Sequence, residues 1–409
     1  MSGREGHVTT HPAPARPDAI RAHNLSVMLG HIHRDGALTR AELTQRLGVS
    51  RSTVGALVAD LTQLGLVQEV VPSGGERVGR PSHVVGPHRT GPIAYAVDID
   101  VANVTVAAIG LGGEVLGREA IPCDPEHTPP ETVAHLVIEA LPRLRAAASP
   151  GAAVAGIGVS VPGTVDRHSG HISVAPNIGW HNVPFGALLA ELAPPQLALA
   201  VGNDADLAVR AEHYRGGARN IDDLVFLLGR VGIGAGIIAG GRPLRGHDGY
   251  AGEIGHNVVD AKGPQCHCGK HGCVETYIGE GALMRLAGRE QPPSDDATAA
   301  VFADARAGDA AALRAVRVVA ESLGRAIASL VNTLNPKCVM LGGYLTELLD
   351  IARDDVERTL FEHTLEAHGG HVELIRPLFG ADSALLGAAE LAFAQLLADP
   401  LTVGPALAG

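Results

Sequence analysis

The spacing of apolar positions changes character along the chain. From Asn24 through Leu29 to His33 apolar residues return at helical intervals, and DGALTRAELTQRLGVSRSTVGALVADLTQLGLV continues that period with one break at Gly48. The pattern predicts a helix, a turn and a further helix. Thr39 stands where an N-cap is needed and Glu42 lies three residues on, so a short helix is expected over Arg40–Leu47, ended by Gly48. Ser50 can cap the next helix. Its Val54, Leu57, Val58 and Leu61 form one apolar face, while Arg51, Ser52 and Thr53 sit at the exposed N-terminal turn. After Leu66, VQEVVPSGGERVGRPSHVV reads as two β-prone runs around a Gly-rich loop, a hairpin wing.

From Ile93 the pattern becomes that of an α/β domain. YAVDIDVANVTVAAIGLGGEVLGREA alternates as a strand-rich hairpin, followed by a helix near Glu131–Ala147 and a strand over Val154–Val161. The long loop VPGTVDRHSGHISVAPNIGWHNVPF then carries Asn177 and the chain's one tryptophan, Trp180, in a setting that often builds ligand sites. LALAVGNDADLAVRAEH runs from a buried strand into a helix, with Asn203 and Asp204 at the junction. Ligands of open α/β sheets lie beyond the carboxyl ends of strands, so both side chains are expected to point toward a cleft. The plainer alternative is that Asp204 caps the helix. Downstream, GRVGIGAGIIAGGRPLRG suits a tight β-hairpin as well as a loop that lets phosphate approach the backbone.

Length and composition narrow the picture. At 409 residues the chain suits two or three domains. Its apolar runs are broken before they reach the roughly 18 residues a membrane span needs, so no membrane partner is expected. The opening MSGREGHVTTHPAPARPDAI has no apolar run behind its charges and reads as a flexible tail, which implies a cytoplasmic protein. Net charge is -12, yet the first ninety residues carry ten arginines against seven acids. Any nucleic-acid contact should therefore be confined to that segment, away from an acidic body that phosphate would repel.

The expected DNA-contact set comprises Thr39, Arg40, Ser50, Arg51, Ser52 and Thr53 around the helix-turn-helix, where the start of the second helix meets base edges. The wing adds Arg77 and the tripeptide Gly79-Arg80-Pro81, in which an arginine held extended beside a glycine suits a narrow minor groove. A winged helix used for protein contacts is the alternative.

CHCGKHGCVE, residues 266 to 275, holds three of the five cysteines. In a reducing compartment such a cluster points to metal before disulfides, although a disulfide or free thiols remain alternatives. Cys266, Cys268 and Cys273 supply three soft ligands. Structural zinc wants four, and His256 is the best fourth candidate, with His267 and His271 inside the loop. A closed site of three Cys and one His would shape a loop and leave water unactivated. Glu253 and Glu275 flank it, and two carboxylates beside a metal-bound imidazole suit sugar hydroxyls. Cys123 and Cys338 stand apart and are expected to be buried thiols.

These residues resemble the ROK family of repressors and sugar kinases, and within it the transcriptional regulators with an N-terminal winged helix. The resemblance rests on TRAELTQRLGVSRSTV and GRP, VPGTVD and APNIGW, GNDADLAVRAE, GIGAGII, AGEIGH, CHCGKHGCVE, LNPKCVMLGG and SALLGAAELA. It implies a winged helix-turn-helix joined to a two-lobed actin-like α/β fold with a structural zinc loop. It also implies zinc on His256, Cys266, Cys268 and Cys273, and sugar on Asn177, Asn203, Asp204, Glu253, His256 and Glu275. Asp204 matches the base of the kinases, here expected as a vestige.

The sequence departs from the kinases where phosphate would bind. Their Asp-Ile-Gly-Gly-Thr loop is replaced by Asp98-Ile99-Asp100-Val101-Ala102, which blocks backbone approach to phosphate and adds a negative charge. Val231 stands where a phosphate-contacting Thr is common, and Asp206 where Asn is usual. The expectation is a sugar-responsive regulator without ATP, a repressor of carbohydrate genes that acts on operator DNA as a homodimer or homotetramer and answers to a sugar or sugar phosphate. The rival is an ATP-dependent sugar kinase with an added DNA-binding domain. The expected segments are a tail over 1–22, the winged helix over 23–90, a first lobe over 91–205 with 380–409, and a second lobe over 206–379.

Overall fold

The computed structural model describes residues 17–70, 83–149, 151–290, 294–366 and 372–402. The chain forms two compact units, one running to Arg89 and joined by the stretch from Gln395, the other spanning Thr90 to Ala394.

The first unit opens with helix α1 (Pro17–Asp35), which begins inside the stretch expected as tail, because Leu25, Met28, Leu29 and Ile32 give it a face to bury. Strand β1 (Leu38–Thr39), α2 (Arg40–Leu47) and α3 (Arg51–Gln63) follow, then β2 (Val67–Val70) and β3 (Val84–Pro87). Thr39 and Glu42 close a capping box, Gly48 ends α2 in the left-handed region, and Ser50 caps α3 through the Thr53 amide. Val54, Leu57, Val58 and Leu61 are all buried, and β1, β3 and β2 make the wing sheet. The stretch from Gln395, expected with the first lobe, belongs here instead: Ser26 Oγ donates to the Leu397 carbonyl at 2.7 Å.

The second unit holds two five-stranded sheets. The first sheet contains β4 (Ile93–Ile99), β5 (Asn103–Gly110), β6 (Val115–Pro122), β7 (Val154–Val161) and β11 (Ala198–Asn203), in the order β11-β7-β4-β5-β6. The expected hairpin is thus the start of a three-stranded antiparallel meander. β7 pairs in parallel with both β4 and β11. β11 lies at the edge and is mostly half-buried, not buried as its apolar run suggested, since only one neighbour covers it. Helices α4 (Pro130–Ala148) and α5 (Phe185–Leu192) close this core. The small sheet of β8 (Thr164–Asp166), β9 (His171–Ala175) and β10 (Trp180–Val183) lies in the loop after β7. Trp180 belongs to the core: its indole N–H donates to the Pro125 carbonyl and its ring packs on Phe185.

Helix α6 (Asp204–Tyr214) leads to the second sheet, made of β12 (Leu224–Gly229), β13 (Ile233–Ala239), β14 (Arg242–Pro243), β15 (Cys338–Gly343) and β16 (Glu373–Ile375). Its order is β14-β13-β12-β15-β16. The period-two pattern is read out on two faces. Leu224, Phe226 and Leu228 pack with α6, whereas Val225 and Leu227 face α10 (Ala310–Leu334) and α11 (Tyr344–His363), with short helices α7 (Glu275–Ile278), α8 (Glu280–Leu286) and α9 (Asp295–Arg306) completing that layer. The last helix, α12 (Ser383–Ala398), presses on β7 so closely that a Cβ on Gly158 would meet the Ala388 carbonyl. With the turn before it, this helix is long and apolar enough to cross a membrane, and most of it is buried. Cys338 is buried as expected, but Cys123 is only half-buried.

A buried carboxylate ties these parts together. Glu212 on α6 is fully enclosed and accepts from the amides of Gly217, Leu378 and Phe379 at 2.8, 3.0 and 2.8 Å and from Ser383 Oγ at 2.9 Å. One turn away, Arg215 pairs with Glu390 of α12 at 2.7 Å in a nearly closed environment. Removing the acceptor strands buried donors, each worth about 1–3 kcal/mol. Glu212→Ala should therefore destabilise the second unit by about 3 kcal/mol or more, read as a lower urea midpoint. An unchanged midpoint would show that this carboxylate does not hold α6 to α12.

Candidate functional site

The cleft is built where β11 gives way to α6 and where the β12–β13 turn faces the ends of β4 and β7. A cavity of about 220 Å³ lies there, and all six residues expected to bind sugar line it: Asn177, Asn203, Asp204, Glu253, His256 and Glu275. Their surroundings differ. Asn203, and not Asp204, is the helix cap: its Oδ1 accepts from the Asp206 amide at 3.0 Å and its Nδ2 donates to the Gly163 carbonyl at 3.0 Å, so both ends of the carboxamide are engaged. Asp204 begins the helix from inside the wall, accepting from the Ala205 amide at 2.8 Å. Asn177 sits in a short 3₁₀ turn with a buried Oδ1 that has no partner among the described residues.

Glu275 is split between two duties. Its Oε2 accepts from the Ile233 amide at 3.1 Å and its Oε1 from the Cys266 thiol at 3.4 Å. Gly232 makes this possible, because a Cβ there would come within 2.4 Å of Asn177 Nδ2 and 2.6 Å of Glu275 Oε2. Glu253 is exposed, yet the atoms packed around its carboxyl raise it above the usual range by desolvation, with the neighbouring Glu275 adding to the rise.

Facing these groups is a half-buried cation. Arg230, in the β12–β13 turn, donates from Nη2 to Asp98 Oδ2 at 2.8 Å and lies 3.4 Å from Asp100 Oδ2. Asp98 and Asp100 lie at the end of β4, in the segment expected from the sequence to differ from the kinases. An arginine thus bridges from the second sheet to the end of β4. The nearby carboxylates hold its guanidinium firmly charged against the desolvation it suffers.

The cysteine loop converges with His256. The Sγ atoms of Cys266, Cys268 and Cys273 and a ring nitrogen of His256 all lie within 4.8 Å of one another. Cys268 and Cys273 sulfurs are 3.8 Å apart, and Cys266 Sγ is 3.7 Å from His256 Nδ1. A tetrahedral zinc with Zn–S near 2.3 Å would set sulfurs about 3.8 Å apart. These residues are placed to hold a metal ion. His267 and His271 stay outside the cluster. Burial raises the Cys266 and Cys273 thiols, a penalty that a cation among them would reverse.

In the winged helix, Arg51 and Ser52 are exposed at the start of α3 and Thr53 is half-exposed. Ser50 Oγ lies 2.8 Å from Ser52 Oγ and 2.9 Å from Thr53 Oγ1. Thr39 is occupied by its capping box, and Arg40 pairs with Glu69 on β2 at 2.5 Å. Arg77, Gly79, Arg80 and Pro81 lie outside the described residues.

Comparison with known proteins accords with this architecture. The ROK family matches residues 94–395, about three quarters of the chain. The chain belongs to the ROK family. The MarR family matches residues 26–77, the helix-turn-helix. The transcriptional dual regulator NagC of Escherichia coli is 27% identical over 384 residues, covering 88% of this chain and 89% of its own. The xylose repressor of Bacillus spizizenii is 26% identical, covering 92% and 97%. Among solved structures, a ROK family transcriptional regulator, a homologue of the E. coli MLC protein, aligns with a TM-score of 0.76 at 24% identity over 95% of this chain and all of that one. A ROK glucokinase from Streptomyces griseus, solved with glucose and AMPPNP, aligns with a TM-score of 0.61 at 28% identity over 73% and 98%.

Within this ROK cleft, two residues escaped the sequence reading. Arg230 carried a signal, a charge inside an otherwise small and apolar Gly-rich run, whose partners only the fold could supply. Tyr250 lines the cavity from a loop with no regular period. Burial pushes Asp204 up to about 7, with Arg230 pulling it down and Asp98 and Asp100 pushing it further up; Asp206 is also pushed up to about 7 by burial. The raised value fixes a sign. From pH near 3.8 to about 7 the unfolded chain releases a proton that the folded chain keeps, so stability falls as pH rises through that window and levels off above it. Asp204→Asn should therefore raise the melting temperature at pH 8 by an amount corresponding to a few kcal/mol at about 1.4 kcal/mol per pKa unit, and leave it nearly unchanged at pH 4. Equal melting shifts at both values would show that Asp204 is not held protonated.

Proposed function

We propose that this protein is a sugar-responsive transcriptional regulator, a repressor of carbohydrate genes, which binds operator DNA through its winged helix and a sugar in the cleft. The observation that carries the reading is the Arg230 bridge to Asp98 and Asp100. It puts a fixed side-chain cation beside two acids on the strand end where a kinase would offer glycine amides to triphosphate, while the polar groups suited to sugar hydroxyls stay in the wall. Arg51, Ser52 and Thr53 would reach base edges, with Thr39, Arg40 and Ser50 supporting the turn and Arg77, Gly79, Arg80 and Pro81 entering the flanking minor groove. A homodimer or homotetramer would present two such heads to a pseudo-palindrome. Sugar shifts operator affinity only by its differential affinity for two states, commonly about 1–3 kcal/mol of coupling.

Zinc is the ion the cluster suits, held by Cys266, Cys268, Cys273 and His256 as a closed structural site that fixes the loop. Zinc on His256 Nδ1 would leave Nε2 for a sugar hydroxyl, and Glu275, which begins α7 two residues after Cys273 and accepts from the Ile233 amide, would carry the loop's position to the Gly-rich turn. Asp204, Asn177 and Glu253 would complete the sugar contacts. Asn203, with both ends engaged, would contribute chiefly by positioning Asp204.

The rival reading, a kinase bearing a DNA-binding domain, is favoured by the buried Asp204 with its value near 7, in the range of a general base. Two measurements separate them. In a coupled assay over a hexose panel with ATP the protein should show no turnover, whereas phosphorylation abolished by Asp204→Asn would establish the kinase. In fluorescence anisotropy on operator DNA, the effector sugar should change affinity about 5- to 150-fold, and Glu275→Ala should raise the sugar concentration required while leaving sugar-free DNA binding intact.

The zinc assignment has its own readout. Cys268→Ser should lose zinc by metal analysis and lower the melting temperature, and the sugar response should disappear with the metal. Sugar response retained in zinc-free protein would refute the link through His256.

A further inference from the structure

A second cavity, of about 290 Å³, opens beside the sugar cleft. Gly249 and Tyr250 line both, so the two cavities share one loop. The tyrosine hydroxyl lies 3.2 Å from Ser173 Oγ of β9. The new cavity is unlike the first in its charge. Arg167, His168, Arg245 and His247 contribute its nitrogens, and Asp166 and Asp248 its carboxylates. Asp166 accepts from the amides of His168 and Ser169 at 2.8 and 3.2 Å, and Asp248 lies 3.7 Å from His247 Nε2.

Arg245 is half-buried, yet no carboxylate lies within 4.0 Å of it among the described residues. Burial lowers its guanidinium, and Arg167 and Arg210 push it the same way. The acid whose charge acts on it, Asp206 on α6, is pushed up to about 7 by burial and so carries only part of a charge near neutrality. A partly desolvated arginine crowded by two others is a costly arrangement without an anion, and arginine is the side chain best shaped for a phosphoryl group. The cleft's other cation is not available for that purpose: Arg230 is already bonded to Asp98 and paired with Asp100, whose charge would repel a dianion beside it.

We propose that the effector is a sugar phosphomonoester, its ring held in the main cleft and its phosphoryl group in the second cavity by Arg245 and Arg167. The proposal rests on the sugar-sensing reading above and narrows its ligand to one class. Tyr250, which lines both cavities, would lie beside the junction of the two halves of such a molecule.

The test titrates the full-length protein with a panel of free hexoses, their 1- and 6-phosphates, neutral disaccharides and inorganic phosphate, by calorimetry and thermal shift. One sugar phosphate should bind roughly tenfold or more tighter than its parent sugar, as charge-assisted hydrogen bonds imply. Arg245→Gln should remove that advantage while leaving the weak binding of the parent sugar in place, and Arg245→Lys should restore part of it. Free sugars that bind as well as their phosphates, a preference for neutral disaccharides, or an advantage unmoved by Arg245→Gln would each overturn the subsite and leave the sugar sensor standing. Binding of inorganic phosphate without any preference for phosphorylated sugars would mean an adventitious ion only. If no sugar of either kind binds, the sugar-sensing reading falls, and this proposal with it.

Discussion

The bridge from Arg230 to Asp98 and Asp100 is the interaction around which the cleft is organised. Asp98 alone would be a buried charge without compensation, and removing the partner of such a charge is more damaging than the pair is stabilising. Together they fix the β12–β13 turn against the end of β4, and so set the width of the space between. The same charges determine the state of Asp204, which feels attraction from one guanidinium and repulsion from two carboxylates on top of its burial. In the ROK cleft of this chain, an arginine and two aspartates occupy the space between the end of β4 and the β12–β13 turn.

The second structural constraint is α6. Its first turn supplies the cleft with Asn203 at the cap and Asp204 behind it, its apolar side packs on the second sheet, and its end is fastened by Glu212 and Arg215 to the segment that leads into α12. A displacement of α12 or of the segment before it therefore has a direct path to the cleft wall through one rigid helix. The path consists of hydrogen bonds to a fully buried carboxylate, which tolerate little stretching.

Much of the winged helix was legible because its signals are local. The capping box of Thr39 and Glu42, the left-handed stop at Gly48 and the four-residue apolar face of α3 each depend on residues within a turn or two of one another. The strand-to-helix junction at Asn203 was legible for the same reason, although which of the two adjacent polar residues caps the helix was decided by the fold. What the sequence could not disclose were pairings across distance. Arg230 meets Asp98 across 132 positions and Glu212 meets Phe379 across 167, and no periodicity encodes either. The edge position of β11 likewise depends on sheet order, which an apolar run does not specify. The four residues placed to hold a metal ion could be named from spacing and resemblance, but the convergence of their ligand atoms to within 4.8 Å of one another, and the tie from Glu275 to the Ile233 amide, appeared only in three dimensions.

Gly232 brings out how the cleft is prepared. By yielding the space of one carbon atom it lets Glu275 and Asn177 close in on the backbone, and Glu275 is then held at both oxygens as Asn203 is held at both ends of its amide. Side chains fixed in this way have already given up their rotamer freedom on folding, so a ligand that meets them loses little further entropy in ordering the site. Asn177 Oδ1 and the Glu253 carboxylate remain open to new bonds. The wall is thus rigid in its frame and chemically unsaturated at its face, a combination that favours discrimination by the placement of hydroxyl groups over adaptation to many shapes.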